Sequence, residues 1–144
     1  MIRPLPHDTG LIEWESLSEA QRSMFTEGCQ LFDEGSFWHA HESWEELWKS
    51  LKHTSSKIEV DAVQGIIQSA ALLYNYDRNK VRGVVNMASK LMVRLRGVEH
   101  GIWGVDIAAL RTELIPFIAD AAEAEPGWNL TTEEVSLQGG WIRS

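Results

Sequence analysis

Phe37-Trp38-His39-Ala40-His41-Glu42-Ser43-Trp44-Glu45-Glu46-Leu47-Trp48 has the period of an α-helix. At about 100° per residue, Trp48, Phe37 and Trp44 lie within about 60° of His41, with Ala40 and Leu47 further round the same side. Trp38 and Glu45 lie within about 60° of His41 on its other flank, and Glu42 falls about 100° away, at the rim. His39, Ser43, Glu46 and Ser50 make the back of the helix. His41 and Glu45, an i,i+4 pair, are therefore expected inside the stripe that faces the core. Titratable groups there are costly unless something pairs with them.

The helical pattern continues on both sides of this stretch. Ser18-Glu-Ala-Gln21 reads as a capping box opening a first helix, with Met24, Phe25, Gly28, Leu31 and Phe32 as its apolar face. Gly35 is placed to end it and Ser36 to cap the tryptophan-rich second helix. Lys49, Lys52 and His53 suit the negative pole of that helix. After the connector Thr54-Ser-Ser56, a second box, Ser56-Lys-Ile-Glu59, opens a third helix over about 57–76. It is apolar around most of its circumference and so reads as the central helix. Gly65 inside it costs about 1 kcal/mol relative to alanine, which close approach of a neighbouring helix would offset.

Asp77-Arg-Asn-Lys80 is a turn. A fourth helix follows, with Val81, Val84, Val85, Ala88, Leu91, Met92 and Leu95 on its apolar face and Gly97 at its close. After a loop over 98–105, Asp106 can cap a fifth helix to about residue 124, with Ile107, Leu110, Leu114, Phe117 and Ile118 inward and Pro116 expected to kink it. No strand period, repeat or low-complexity tract is present. The reading is an all-α, single-domain bundle of about five helices. Residues 1–16 form an irregular arm, 17–124 the helical core, and 125–144 a tail that Trp128 and Trp141 suggest is docked.

A chain of 144 residues fits one domain and can bury about 68–70% of its unfolded surface. With 44% hydrophobic and 24% charged residues, it reads as an ordinary soluble globule. The single cysteine, Cys29, excludes an internal disulfide framework and fits a reducing, cytoplasmic location. The first residues lack the apolar core of a signal peptide, and no run is long enough for a membrane span. A net charge of −8 argues against nucleic acid or an anionic membrane as partner. One stretch runs the other way: residues 78–96 carry Arg78, Lys80, Arg82, Lys90, Arg94 and Arg96 and no acid. A solvated face is the simpler reading of it, and a small-anion or partner-docking patch the sharper one.

On the third helix, Asp61, Gln64, Gln68 and Asn75 fall within about 60° of one another, a polar stripe on a greasy helix. It reads either as a solvent-facing seam or as a stripe packed against His41 and Glu45 in an antiparallel hairpin. In the second case the cluster has three uses. It is a closed structural hydrogen-bond network; or His41 and Glu45 bind zinc, iron or manganese; or His41 and Glu45 do acid–base work. Glu42 follows His41 as the general base does in His-Glu-x-x-His, although here the second ligand position is Glu45. His39, His53, His7 and His100 read as surface residues, and Trp38, Trp44 and Trp48 as core filler rather than a cofactor box.

Phe32-x-x-Gly35-x-Phe37-Trp38-x-Ala40-His41-Glu42-x-Trp44-Glu45-x-x-Trp48, followed by Gln64-Gly65-x-Ile67-Gln68-x-Ala70-Ala71, resembles the domain-of-unknown-function family 309 of bacteria and archaea, over roughly residues 20–97. The family's hallmark, His-x-x-x-Glu-x-x-Trp, falls on His41, Glu45 and Trp48. The resemblance implies a small multihelical protein of uncharacterised activity with a metal site at that hallmark. Two departures stand out. Relatives often carry a histidine at the position of Asn75, and Gly-Asn where this chain has Asn79-Lys80. The sequence thus points to a small metal-binding protein with His41 and Glu45 as ligands, Glu42 as the candidate base of a hydrolase, and Trp44, Trp48, Asp61, Gln64, Gln68 and Asn75 lining the site. The alternative is a non-catalytic interaction module whose cluster only fixes helix register. A small-molecule ligand and a homo-oligomer both fit either reading.

Overall fold

Local signals set where the helices begin and end. The computed structural model describes residues 13–53, 55–99 and 101–137; His7, His100, Trp141, most of the N-terminal arm and the end of the tail lie outside them. Among the described residues there are five α-helices and no strand: α1 Glu19–Asp33, α2 Phe37–Leu51, α3 Lys57–Asp77, α4 Val81–Arg94 and α5 Ile107–Ala121. The fold is an all-α bundle. None of these helices is long and apolar enough to cross a membrane.

Both capping boxes form. Gln21 N donates to Ser18 Oγ (3.0 Å) and Ser18 N to Gln21 Oε1 (2.9 Å). Ser56 N and Oγ donate to the carboxylate of the fully buried Glu59 at 3.0 and 2.8 Å. α1 ends at Gly35, whose φ of +82 lets Gly35 N reach Phe32 O and Ser36 N reach Leu31 O, a paired C-terminal motif. Asn79, with φ +57, makes the same motif after α3. Asparagine is the residue besides glycine that takes this conformation most readily, so the turn survives the departure from Gly-Asn. Ser36, expected to cap α2, makes no side-chain cap bond; the chain enters α2 straight from the α1 motif.

α3 is central, packed against α2, α4 and α5. At Gly65 an added Cβ would lie 2.7 Å from Leu95 Cγ, so close approach of the chain just beyond α4 offsets the helix cost of glycine there. On α4 the core face is Val84, Ala88, Leu91 and Leu95, whereas Val81 and Val85, expected inward, are exposed. α5 runs through Pro116 and ends at Ala121, a little earlier than expected. In the loop before it, Trp103 (φ +48) and Gly104 (φ +90) form a two-residue turn closed by two bonds between Ile102 and Val105. The turn buries Trp103 edge-on to Phe25, 5.2 Å between centroids.

The described part of the tail is held by side chains. Asp120 accepts from Tyr76 Oη (2.6 Å), Gly127 N (2.9 Å) and Trp128 N (2.8 Å), and Leu130 N donates to Tyr76 Oη (3.1 Å). Thr132 Oγ1 donates to both oxygens of Asp77 (2.9 and 2.8 Å), and Leu137 N to Asp33 (2.6 Å). The Tyr76 hydroxyl, aided by the Gly127 amide, holds the Asp120 carboxyl below the usual 3.8, whereas burial pushes Asp77 above it. The two signs are opposite. Stability from Asp120 is present above the ordinary carboxylate value and lost as pH falls through its lowered folded value. Stability from Asp77 is present below the ordinary value and lost as pH rises through its raised one. In denaturant melts between about pH 3 and 7, Asp120→Asn is expected to flatten the acid loss of stability, and Asp77→Asn to raise stability at neutral pH. Acid profiles that both variants leave unchanged would count against this attachment.

Candidate functional site

The rotation of α2 decides what its polar face can do. Its buried residues are Phe37, Ala40, Trp44, Leu47 and Leu51, a stripe centred about 80° from His41. His41 was expected in mid-stripe; it sits instead at the stripe's edge, with 20% of its side chain exposed and 46% of Glu45's. The cause is Trp44, which anchors α2 against α1. Its indole lies over Gly28, packs on Phe32 (5.7 Å) and donates from Nε1 to Phe25 O (3.1 Å). Ala40, Leu47 and Leu51 then turn inward with it. Trp44 therefore serves the core. Glu42 is turned to the outer surface, its Oε1 3.4 Å from His39 Nδ1 with both side chains exposed.

Trp38 stacks on His41, 5.1 Å between centroids and 5° between planes, and reaches across to Tyr74 on α3 at 5.2 Å. Arg78 lies over the other end of this row, 5.2 Å from the Tyr74 ring, and Lys52 covers the Trp48 ring at 4.4 Å. His41 Nε2 is 3.8 Å from Glu45 Oε2, too far for a hydrogen bond but near enough to orient the ring.

The polar stripe of α3 divides. Asp61 turns to α4, pairing with Arg94 (2.8 Å) and with Lys57 (2.7 Å). Asn75 also packs against α4, at Gly83, and donates to Ala71 O (2.8 Å). Tyr74, by contrast, faces α2. The arc of α3 left between Tyr74 and Asn75 carries Ile67, Ala71 and Gln64, whereas Gln68 lies between Asn75 and Asp61, on the side turned to α4. The Trp38–Tyr74 contact also fixes the antiparallel register: His41 comes level with Ala71, Glu45 with Ile67 and Trp48 with Gln64, because both helices rise equally per residue. His41 and Trp48 thus border the groove over α3 between α2 and α4, with Gln68 on its α4 side.

The closed network expected between His41, Glu45, Gln64 and Gln68 does not form: no hydrogen bond joins the two sets. His41 Nδ1, Trp48 Nε1 and Gln68 Oε1 are instead buried atoms without a protein partner, together with Ser55 Oγ. Gln68 is only 8% exposed. Trp38, read from the sequence as core filler, is instead 47% exposed, and Tyr74 was not singled out; both look like ordinary apolar helix positions.

The metal expectation meets a shortage of donors. Among the described residues no group of three or more His, Cys, Asp and Glu side chains is placed to hold an ion. His41 and Glu45 alone fall short of the three protein ligands even an open zinc site keeps, so the described residues do not fit a protein-caged ion. Cys29 is fully buried, and burial pushes its thiol far up, which leaves it unreactive.

Residues 25–87, from α1 into α4, match the model of the domain of unknown function DUF309, and the groove lies within the matched stretch apart from the end of α4. No curated protein matches the chain.

Proposed function

We propose that this protein binds a small polar ligand in the groove between α2 and α4, with His41, Trp48 and Gln68 supplying the polar contacts. The observation that carries this reading is the identity of the unpartnered buried atoms: three of the four belong to those residues. Buried polar atoms in folded proteins are satisfied by protein, water or ligand, and leaving one unpartnered costs about 1–3 kcal/mol. A cluster serving only helix register would close on itself; these atoms have no partner within the protein. Binding sites commonly hold such groups at the expense of stability.

Metal binding is the second reading, favoured by one distance: the 3.8 Å between His41 Nε2 and Glu45 Oε2 lets both atoms reach one ion, with the ligand itself completing its shell. A hydrolytic role for Glu42 draws no support from its pairing with His39.

Gln68→Met tests the site without knowledge of the ligand. Removing the unpartnered amide is expected to stabilise the free protein by about 1–2 kcal/mol, or roughly 3–8 °C in Tm. A clear fall in Tm would mean that the amide is satisfied within the fold, and the structural-network reading would take over. Elemental analysis of untagged protein separates the two binding readings. Near-stoichiometric metal that His41→Ala removes, with helicity retained, would favour the ion.

A further inference from the structure

We infer that the outer face of α4 is a docking surface for another protein, whose contacting element is an amphipathic helix with acidic side chains beside its apolar stripe. This surface is separate from the groove between α2 and α4. α4 buries only Val84, Ala88 and Leu91. With Val81 set at 0° on a helical wheel, that core face is centred at about −50°. The outer face then carries Val81, Val85, Arg82, Val93 and Lys90 at about 0°, 40°, 100°, 120° and 180°, all of them exposed. Val81, Val85 and Val93 are half of the six large apolar side chains exposed among the described residues. Scattered apolar residues are ordinary on a surface, but three on one face of a single helix make a stripe.

Charge selects the partner. Residues 78–96 hold six cations and no acid in a chain of net charge −8. Arg94 is bound to Asp61, and Arg78 lies over the Tyr74 ring. Arg82 and Lys90 on the face, with Lys80 and Arg96 at its two ends, pair with no acid among the described residues. The acids that flank the segment are engaged elsewhere, Asp77 with Thr132 and Glu99 with Arg111. An acidic helix therefore finds on α4 both an apolar stripe and complementary charge. A second copy docked α4 to α4 would set like charges together. Nucleic acid is met by rows of cations on its phosphates, and here Val85 and Val93 break the row. An anionic bilayer would also lie against the acidic remainder of the surface, whereas a helix touches α4 alone.

Three synthetic helical peptides of equal length isolate the two requirements. One has a leucine stripe flanked by glutamates, the second has lysines in place of the glutamates, and the third has glutamines in place of the leucines. Each is titrated into the protein while the backbone amides are followed by NMR. The first is expected to shift Val81, Val85 and Val93 saturably and to bind at least about tenfold more tightly than either comparison peptide. Arg82→Glu combined with Lys90→Glu, both outside the core, is expected to reverse the order, so that the lysine peptide binds better than the first. Val85→Ser combined with Val93→Ser is expected to remove most of the advantage of the leucine stripe over the glutamine one. Equal binding of the glutamine-striped peptide would reduce the face to a charged surface and overturn the inference. A preference unmoved by the charge reversal, or no saturable shift on α4, would do the same. So would shifts on α4 that follow protein concentration alone, which assign the face to a second copy. Shifts with phosphatidylglycerol vesicles and none with the first peptide would assign it to a membrane instead.

Discussion

Gly28→Ala is expected to destabilise the protein by about 3 kcal/mol, with Tm lower by about 10 °C. A Cβ at this position would land on Nε1 and Cδ1 of the Trp44 indole. The far end of a flexible side chain could swing aside. Trp44 cannot, because it is fully buried, bonded to Phe25 O at 3.1 Å and packed on Phe32. The helix-propensity gain of about 1 kcal/mol from replacing glycine is too small to compensate. Trp44→Phe shortens the obstructing ring system and gives up the bond to Phe25. Singly it should also destabilise, by about 1–3 kcal/mol. The double variant should lose less than the sum of the two, by about 1 kcal/mol or more, since the clash and the bond involve the same atoms. Strict additivity would show that the indole does not hold α2 against α1. The consequence reaches the groove. Trp44 sets the rotation of α2, and that rotation puts His41, Glu45 and Trp48 on the edge facing α3. Gly28→Ala should therefore also disturb the Trp48 and His41 signals, although neither residue touches Gly28 in sequence or packing register.

How far the chain could be read depended on the range of each signal. Helix number, order and most ends were legible, because they rest on contacts three to five residues apart: Ser18 with Gln21, Ser56 with Glu59, Gly35 with Phe32. The central place of α3 and the close approach at Gly65 followed from a helix apolar nearly all round. The rotation of α2 was not legible to the accuracy the site required. A wheel weighs Trp48, Phe37 and Trp44 alike, whereas the fold buries Trp44 completely, leaves Trp48 half-buried and fills the stripe with Ala40 and Leu51. Nothing local distinguishes a tryptophan facing a glycine on the preceding helix from one facing a groove. The polar stripe of α3 was correctly seen as a stripe, but its division between α4 and the groove depends on Arg94, Gly83 and Trp38, all distant in sequence. The exposure of Val81 and Val85 has the same origin, since α4 presents to α3 a face about a quarter-turn away from those valines. The attachment of the tail is the extreme case, because Tyr76, Asp120 and Leu130 meet only in the fold.

At that attachment Tyr76→Ala is expected to cost about 3–5 kcal/mol, the loss of a buried aromatic ring, and Tyr76→Phe about 1–2 kcal/mol, the loss of its hydroxyl bonds alone. The ring sits edge-on to Phe117 and tilted against Trp128, each 5.0 Å away. The hydroxyl donates to Asp120 and accepts from Leu130 N. Tyr76→Phe leaves the packing in place but strands the Leu130 amide and takes one of the two donors from Asp120 Oδ2. Its effect should be local: faster hydrogen exchange at Trp128 and Leu130, with the amides of α1, α2 and α3 still protected. Tyr76→Ala should instead lower protection throughout, since the ring bridges α3, α5 and the tail. The hydroxyl also carries an alkaline signature. Burial, then the bond to Asp120, raises its pKa above the ordinary 10.0. The stability it contributes is therefore complete below that value and lost as pH rises through the higher folded one. Tyr76→Phe should remove this part of the alkaline loss. Unchanged exchange at Leu130 in Tyr76→Phe, or an alkaline profile identical to the wild type, would show that the tail is held by its apolar contacts and that the hydroxyl is incidental.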